Sequence, residues 1–277
     1  MSGEAQLKLN RLLELLGAAE SVLVCYSGGI DSAVVLAVAH RALGDKAIGM
    51  TAVSPSLPES EHDDAVRIAR EIGAEHRLVE SSELTRPGYA ANGPDRCFHC
   101  KSELYEIAER KRAEWQLRYV VNGTNLDDLG DYRPGLEAAK LASVRSPFLE
   151  AGMTKADVRQ LAKQLGLSAW DKPAAACLSS RIPYGTSVTP ERLLQVGAFE
   201  AALRSLGFRR SRVRYHDQIA RIELDLEDLP RLLAPEIREA VVKAGKTHGF
   251  TYVTLDLAGY RTGSHNEVLT GRSLRIV

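Results

Sequence analysis

Short apolar runs alternate with longer stretches of helical periodicity through the first 166 residues of the 277-residue chain. Each run is four to seven residues long, as in buried strands, and apolar residues at helical spacing follow it. Strict alternation of this kind predicts a parallel sheet with helices on both faces, which binds ligands at the carboxyl ends of its strands. The predicted strands span 21–26, 47–53, 76–79 and 119–122, and the predicted helices span 31–43, 58–73, 101–115 and 154–166.

The pattern changes after residue 166. Residues 167–190 are rich in Ala, Ser and Pro without a clear period, which indicates a linker or an active-site loop. Beyond them the sequence predicts a helix, two adjacent strands, a second helix and a last strand, which is typical of a small α+β domain with an antiparallel hairpin. We therefore expect an α/β domain over 1–168. Residues 169–277 should form the linker, with a cysteine-bearing loop, and a smaller C-terminal α+β domain for substrate binding or oligomerisation.

Composition disfavours several classes of protein. Lys and Arg together number 36, as do Asp and Glu, so the chain has no net charge to attract nucleic acid. No uninterrupted run of about 18 apolar residues occurs, and the acidic, amphipathic start is unlike a secretory signal, so no membrane association is predicted. Four cysteines do not make a disulfide framework in a chain of this length, which favours a cytoplasmic location and chemical or metal-binding thiols.

A glycine-containing turn lies between the first predicted strand and the helix after it. Gly28 and Gly29 allow the backbone to turn tightly, and the hydroxyls of Ser27 and Ser32 flank them at the start of the helix. Such a turn binds a multiply charged anion such as pyrophosphate, although no Gly-Lys-Ser/Thr follows as it would in a Walker A loop. Asp31 would repel a phosphate unless Mg²⁺ lay between them. The alternative interpretation is an ordinary strand-to-helix turn.

Three cysteines lie in polar surroundings, Cys97 and Cys100 in a C-x-x-C pattern and Cys177 far along the chain. The pattern is compatible with half of a zinc site, with His99 as a further ligand, with a redox pair, or with an iron–sulfur site. Three thiolates on a [4Fe–4S] cluster would leave one iron open to an exogenous ligand. Three unrelated thiols remain the simplest alternative. Cys25, within a strand, is predicted to pack in the core.

Two other groups of polar residues are candidate ligands. Asn125 and Asp128 lie in the loop after the last strand of the first domain, where they could contact substrate or Mg²⁺ or make an ordinary turn. Arg212 and Arg214 are two residues apart on one strand and therefore share a sheet face. With Arg181 they could receive a phosphate or carboxylates, and solvent exposure is the alternative. Glu200 and Glu223 are expected to pair with these arginines or to bind a metal.

The segment SGGIDS at 27–32 resembles the PP-loop of the adenine-nucleotide α-hydrolase group, which includes GMP synthetases, NAD synthetases and tRNA thiolation enzymes. The resemblance implies cleavage of ATP between its α- and β-phosphates, adenylation of an acceptor oxygen and release of pyrophosphate. It places the pyrophosphate on Ser27, Gly28, Gly29, Asp31 and Ser32, with Asp31 holding Mg²⁺ through the phosphates. The adenine would lie near Ala52, at the end of the second strand, and near Gly123 and Thr124.

The combination of SGGIDS, CFHCK, NGTNLDDLGDYRPG, CLSSRIPYGT and LDLAGYRTGSHNE resembles the LarE family over residues 7–268. These are ATP-dependent sulfur transferases that take part in the biosynthesis of the nickel-pincer nucleotide. That nucleotide is the cofactor of lactate racemase. The resemblance implies adenylation of a carboxylate on pyridinium-3,5-biscarboxylic acid mononucleotide and its conversion to a thiocarboxylate, and also a homo-oligomer such as a hexamer. With Cys97 and Cys100 present, it favours the subgroup in which they and Cys177 carry a [4Fe–4S] cluster.

Several alternatives stay open at this point. In the sacrificial members of the LarE family, the cysteine at the position of Cys177 donates its own sulfur and becomes dehydroalanine. A tRNA thiolation enzyme would also combine a PP-loop with cysteines, but it predicts a basic surface. Amidation, as in GMP or NAD synthetase, would leave the cysteines without a role. A nucleotide- or zinc-binding module without catalysis predicts ATP binding without pyrophosphate release.

Overall fold

The computed structural model describes residues 3–130, 134–172, 176–261, 263–266 and 268. The chain forms two compact units, residues 1–89 with 94–175 and residues 90–93 with 176–277, and each has its own sheet. Residues 131–133, 262 and 267, which belong to the sequence motifs above, and residues 173–175, in the Ala-, Ser- and Pro-rich segment, lie outside the described residues. Among the described residues, no helix is both long enough and apolar enough to cross a membrane.

The first unit is an α/β structure built on four parallel strands. Its elements in chain order are α1 (Gly3–Gly17), β1 (Val22–Cys25), α2 (Ile30–Leu43), β2 (Ala47–Val53), α3 (Glu59–Ile72), β3 (Glu75–Glu80), α4 (Pro87–Ala90), α5 (Arg96–Glu114), β4 (Tyr119–Val121), α6 (Pro134–Leu141), α7 (Pro147–Glu150) and α8 (Lys155–Gln164). The strand order is β3-β2-β1-β4, so successive strands are added on one side of β1 and then on the other. Ligands bind open parallel sheets at such a switch point, here between β1 and β4.

Alternate residues of β1 face opposite sides of the sheet, and helices cover both sides. Val22 and Val24 join a buried cluster with apolar side chains of α1, α2, α3 and α8. Leu23 points the other way and packs with Ile107 and Ala108 of α5. A strand buried on both faces requires a continuous apolar run, which is why the pattern was readable in the sequence. The predicted fold class is therefore confirmed for this unit.

Helix boundaries follow local signals, with one exception. Thr154 caps α8 through a reciprocal arrangement with Asp157, as the sequence predicts. The predicted start of α5 at residue 101 was wrong, because the helix begins at Arg96 and includes both cysteines of the C-x-x-C pattern. Residues 96–101 are largely polar and carry no apolar periodicity, so the pattern contained no signal for this first turn.

The second unit is a smaller α+β structure. Its elements are α9 (Pro190–Ser205), β5 (Ser211–His216), β6 (Ile219–Leu224), α10 (Leu229–Leu233), α11 (Pro235–Thr247) and β7 (Tyr252–Leu255). Strands β5 and β6 form the predicted antiparallel hairpin, and β7 pairs parallel to β6. The register sets Val213 against Ile222 on one face, and Arg212 against Glu223 and Arg214 against Arg221 on the other. One face is therefore apolar and the opposite face charged.

Candidate active site

The turn after β1 leaves the first amides of α2 without a side-chain cap. Gly29 precedes the helix in an extended conformation, and no side-chain hydrogen bond caps this end among the described residues. Gly28 has a φ of 71°, and a Cβ on it would lie 2.7 Å from the Cα of Ala65, so the position requires glycine. Uncapped amides at the positive end of a helix dipole form an anion-binding site.

Ser27 and Ser32 contact each other across this turn. The Oγ of Ser32 donates to the carbonyl of Gly29 at 3.0 Å and accepts from the backbone N–H of Ser27 at 3.1 Å. The two hydroxyl oxygens are 3.2 Å apart. Ser32 is buried and Ser27 is exposed, so Ser32 shapes the turn while Ser27 remains accessible from solvent.

Asp31, in the first turn of α2, contacts two groups from other elements. The side-chain amide of Asn125 donates to Asp31 Oδ1 at 3.2 Å, and the ammonium of Lys155 contacts Asp31 Oδ2. The sequence interpretation missed Lys155. A signal existed, because Lys155 is the first residue of α8, where the helix dipole disfavours a cation unless an anion lies nearby.

The loop after β4 packs against the same first turn of α2. A Cβ on Gly123 would lie 2.9 Å from the backbone of Asp31 and Ser32, so the close approach depends on glycine. Asn125 is 1% exposed, and its backbone N–H donates to Asp128 at 3.0 Å. Asn125 therefore orients the Asp31 carboxylate, and Asp128 fixes the backbone of this loop.

The carboxyl end of β2 lies beside β1 and contains Thr51 and the predicted adenine neighbour Ala52. Thr51 Oγ1 donates to the carbonyl of Tyr26 at 2.8 Å and lies 2.8 Å from His76 Nε2. Burial lowers the pKa of His76, and repulsion from His62 lowers it further. Ala52 itself is half-buried and small, and the backbone of Thr124 after β4 is fixed by a 3.1 Å bond to Asn122.

Cys97 and Cys100 are three residues apart in the first turn of α5, so they share one face of the helix. Neither forms a disulfide bond; Cys97 is exposed and Cys100 is half-buried. His99, the predicted further zinc ligand, lies 3.2 Å from Asp95 and against Gly88. Burial of Cys25 raises its pKa to about 12, so this thiol stays protonated at neutral pH.

Lys101 adds a positive charge beside the C-x-x-C pair. The surrounding protein desolvates its ammonium, which alone lowers the pKa, but Tyr105, Cys100, Cys25 and Cys97 attract the cation and raise the pKa of Lys101 overall. In the described parts of the chain, no group of three or more His, Cys, Asp or Glu side chains is arranged to hold a metal ion.

Cys177 lies at the start of a 3₁₀ turn that Arg181 holds in place. The guanidinium of Arg181 donates to the carbonyls of Ala176 and Cys177 at 2.8 and 3.0 Å. It also forms a two-pronged ion pair with Glu200 at 2.8 and 2.9 Å, and Arg181 is 2% exposed. Burial alone would lower the pKa of Arg181, but the charge of Glu200 raises it. Arg181 thus supports the Cys177 loop.

Arg214 and Arg212 have opposite surroundings on the same face of β5. Arg214 pairs with Glu223 at 2.9 and 2.8 Å and donates to the carbonyl of Ser180 at 2.9 Å. Arg212 has no carboxylate within ion-pair distance among the residues described, and it lies near the ring of Tyr260. Burial and repulsion from Arg181 and Arg214 lower its pKa. A half-buried guanidinium without a counterion is suited to receive an anion.

The chain is similar to known proteins over most of its length. Residues 4–120 match the NAD synthase family. An uncharacterized protein of Synechocystis is 45% identical over 95% of this chain and 98% of its own length, and one of Methanocaldococcus jannaschii is 28% identical over 88% and 92%. The pyridinium-3,5-bisthiocarboxylic acid mononucleotide synthase of Lactiplantibacillus plantarum is 40% identical over 92% of both chains. The chain belongs to the LarE family.

Membership of the LarE family confirms the resemblance drawn from the motifs, and with it an ATP-dependent enzyme of the PP-loop type. The structure brings together Ser27, Asp31, Gly123 and Asn125, which come from the turn after β1 and the loop after β4. The roles of the individual residues, the three-cysteine subgroup and the oligomeric state remain predictions.

Proposed function

We propose that this LarE-family chain uses ATP to activate a carboxylate of pyridinium-3,5-biscarboxylic acid mononucleotide and then replaces a carboxylate oxygen with sulfur. The observation that carries this proposal is the match over 92% of both chains to the Lactiplantibacillus plantarum pyridinium-3,5-bisthiocarboxylic acid mononucleotide synthase. The thiocarboxylate would become part of the nickel-pincer nucleotide cofactor of lactate racemase.

In the first half-reaction a carboxylate oxygen of the substrate bonds to the α-phosphorus of ATP, and the bond from that phosphorus to the departing pyrophosphate breaks. The amides after Gly29 and the hydroxyl of Ser27 would hold the pyrophosphate. The Asp31 carboxylate beside this turn fits the oxygen donors that Mg²⁺ prefers, and Lys155 would turn from Asp31 to the phosphates when the metal ion arrives.

The substrate phosphate is assigned to Arg212. Arg181 and Arg214 each have a buried glutamate partner. Arg212 is half-buried, and the other two arginines repel it. A phosphate would relieve that repulsion and accept hydrogen bonds from two N–H groups of the guanidinium. Arg214 and Arg181 then act by fixing the strand and the Cys177 loop around Arg212.

In the second half-reaction the sulfur of a hydrosulfide attacks the carbonyl carbon of the acyl adenylate, the bond to AMP breaks, and a proton is lost. Cys97, Cys100 and Cys177 form no disulfide bond, and the first two lie on one helix face, which fits ligation of a cluster by cysteine. If these three residues held a [4Fe–4S] cluster, one of its irons would have no cysteine ligand. That iron could bind the sulfide and supply it to the reaction.

The second candidate is sacrificial donation. Cys177 would attack the acyl adenylate and release AMP; elimination of its Cα proton and its Cβ–Sγ bond would then leave dehydroalanine and a thiocarboxylate. The observation that favours this route is the buried Arg181 guanidinium, which donates to the carbonyl of Cys177 at 3.0 Å and so fixes the position of this residue. In this route Cys97 and Cys100 have no part in sulfur transfer.

The test is a reaction with ATP, Mg²⁺ and pyridinium-3,5-biscarboxylic acid mononucleotide, in which inorganic pyrophosphate, AMP and the mass of the pyridinium product are measured. We expect one pyrophosphate and one AMP for each oxygen replaced by sulfur. Pyrophosphate release that does not depend on the pyridinium compound, or no release at all, would contradict the proposal.

A further inference from the structure

Tyr26 lies between the last residue of β1 and the anion-binding turn that begins at Ser27. Its side chain is buried although it ends in a hydroxyl, and a buried hydroxyl requires a hydrogen-bond partner. The partner is on α3, where the carbonyl of Ala65 accepts from the Tyr26 hydroxyl at 3.0 Å. Burial raises the pKa of the Tyr26 phenol, so the hydroxyl keeps its proton and remains a donor at neutral pH.

Ala65, which accepts this hydrogen bond, is also the residue against which the turn packs. A Cβ on Gly28 would lie 2.7 Å from the Cα of Ala65 and 3.0 Å from its backbone nitrogen. The backbone of α3 at Ala65 therefore forms one wall of the turn. Because the Tyr26 hydroxyl binds the carbonyl of this same residue, it fixes how closely α3 approaches Gly28.

The backbone and the ring of Tyr26 are held as well. Its N–H donates to the carbonyl of Met50 at 2.8 Å, and its carbonyl accepts from Thr51 Oγ1 at 2.8 Å. Since the hydroxyl proton of Thr51 is used in that bond, its oxygen accepts from His76 Nε2, also at 2.8 Å. The imidazole of His76 lies edge-on against the Tyr26 ring, with 5.1 Å between the ring centroids. Contacts from β2, β3 and α3 thus fix this one residue.

The turn itself has little with which to hold its own shape. Gly28 and Gly29 contribute no side chain, and glycine is the residue with the greatest backbone freedom. Backbone amides bind an anion tightly only if they are held in the binding geometry beforehand, because ordering them on binding costs free energy. Ser32 fixes the helix end of the turn through its bonds to Ser27 and Gly29, and Tyr26 is the fixed residue at the strand end.

We propose that Tyr26 is a positioning residue for this turn: its hydroxyl holds α3 against Gly28, so that the amides after Gly29 are preorganised for pyrophosphate. Tyr26 acts through Ala65 and Gly28 and touches no reacting atom. The proposal deepens the proposed function and rests on its assignment of pyrophosphate to the turn. Binding of pyrophosphate can nevertheless be measured without the pyridinium substrate and without turnover.

The experiment is calorimetric titration of the full-length chain with pyrophosphate and Mg²⁺ and, separately, with AMP. Tyr26→Phe keeps the ring and removes only the hydrogen bond to Ala65. We expect the Kd for pyrophosphate to rise about five- to tenfold, the equivalent of one net hydrogen bond, and the Kd for AMP to stay the same. A merely structural role for Tyr26 would lower the free energy of unfolding and leave the ratio of the two Kd values unchanged.

Tyr215→Phe is the matched control. The Tyr215 hydroxyl is also on a buried side chain and accepts one hydrogen bond, from Arg192 at 3.3 Å, but it belongs to the second unit. This variant should bind pyrophosphate like the wild type. If Tyr26→Phe fails to fold, Thr51→Val takes its place, because it keeps the side-chain shape and removes the bond to the Tyr26 carbonyl, and the same rise in Kd is expected.

Three results would overturn the proposal: pyrophosphate binding that is unchanged in the variant measured, that weakens in step with AMP binding, or that is absent from the wild type. Failure of the proposed function gives a different result. A wild type that binds pyrophosphate more tightly than Tyr26→Phe, but releases none from ATP when the pyridinium compound is added, would refute the function and support the positioning role. A chain that makes the thiocarboxylate, and in which Tyr26→Phe binds pyrophosphate like the wild type, would do the reverse.

Discussion

The ammonium of Lys155 and the carboxylate of Asp31 form an ion pair at the switch point of the parallel sheet. Their elements, α8 and α2, each begin at this point, and both side chains are about one-third exposed. The pair gives the anion-binding turn a local charge near zero in the absence of nucleotide. Arrival of ATP with Mg²⁺ would supply a new partner for each side chain.

Replacement of Lys155 by methionine tests that exchange of partners. Because a preorganised cation is lost beside the departing pyrophosphate, we expect Lys155→Met to slow pyrophosphate formation about 100-fold. Lys163→Met is the control, since Lys163 lies on the same helix with its ammonium over the ring of Trp170. Equal rates for Lys155→Met and Lys163→Met would refute a role for Lys155 in pyrophosphate release.

Gly28→Ala tests the turn itself. The new Cβ would lie 2.7 Å from the Cα of Ala65 at a φ of 71°, so we expect the free energy of unfolding to fall and ATP binding to be lost. Gly73→Ala separates the two effects, because Gly73 is left-handed with a φ of 77°, and the nearest atom to its Cβ position is a side-chain atom 3.9 Å away. That control should lose only the backbone term, about 1–2 kcal/mol, and keep ATP binding. Urea unfolding and calorimetric titration measure the two quantities.

Arg212 and Arg214 should respond in opposite ways to substitution by methionine. Arg214→Met leaves the fully buried Glu223 with only Arg221 at 3.5 Å and the Ser264 hydroxyl at 3.3 Å, so we expect the free energy of unfolding to fall by about 3 kcal/mol. Arg212→Met removes a cation that its neighbours repel, so the free energy of unfolding should stay the same or rise. Its effect should be on KM for the pyridinium mononucleotide, with an increase of about 10- to 100-fold. A stable Arg214→Met with a raised KM would reverse the assignment.

Sulfur transfer by a cluster and sulfur transfer by sacrifice of Cys177 predict different iron contents, numbers of turnovers and protein masses for the purified chain. We expect anaerobic protein to hold about four irons per chain, to lose them in Cys100→Ser, and to keep its mass after several turnovers. Sacrificial donation instead predicts no iron, one turnover, and loss of the mass of hydrogen sulfide at Cys177. Cys25→Ser is the matched control, because its thiol is protonated at neutral pH and has no proposed role.

The lowered pKa of His76 makes stability depend on pH. Because the folded-state pKa lies below the ordinary value of 6.5, the unfolded chain takes up the proton first as the pH falls. The stability from neutral His76 is complete above pH 6.5 and is lost as the pH falls through 6.5 toward the folded pKa. His76→Gln should reduce the decline in free energy of unfolding between about pH 7.5 and 5.5. An identical decline in both proteins would exclude His76 as its source.

The sheet and its first turn could be predicted because their signals are local. Val22 to Val24 are buried and consecutive, and Gly28 and Gly29 follow four residues later, so the strand and its turn can both be predicted from fewer than ten positions. The α5 start could not be read, because the turn with Cys97 and Cys100 has no apolar face. Family membership, read from the combination of motifs, is confirmed by the full-length relatives.

The expected pairing of Glu200 and Glu223 with the arginines is confirmed, but the sequence could not say which arginine each glutamate binds, and it did not reveal Lys155 as the partner of Asp31. Arg181 and Glu200 are 19 positions apart, and Asp31 and Lys155 are 124 apart, so no periodicity links either pair. Arg181, Arg212 and Arg214 look alike as letters, and only their neighbours separate two structural arginines from one without a counterion. The assignments of Ala52, Thr124 and Asp128 to ligands stay predictions.

The burial of Cys25 at the end of β1 also has a practical consequence for anyone who handles this chain. An alkylating reagent or a mild oxidant at neutral pH acts on thiolates, and this sulfur keeps its proton. The chain therefore has four cysteines, but a thiol reagent at neutral pH should modify three of them. Oxidation during storage should begin at Cys97, the exposed cysteine.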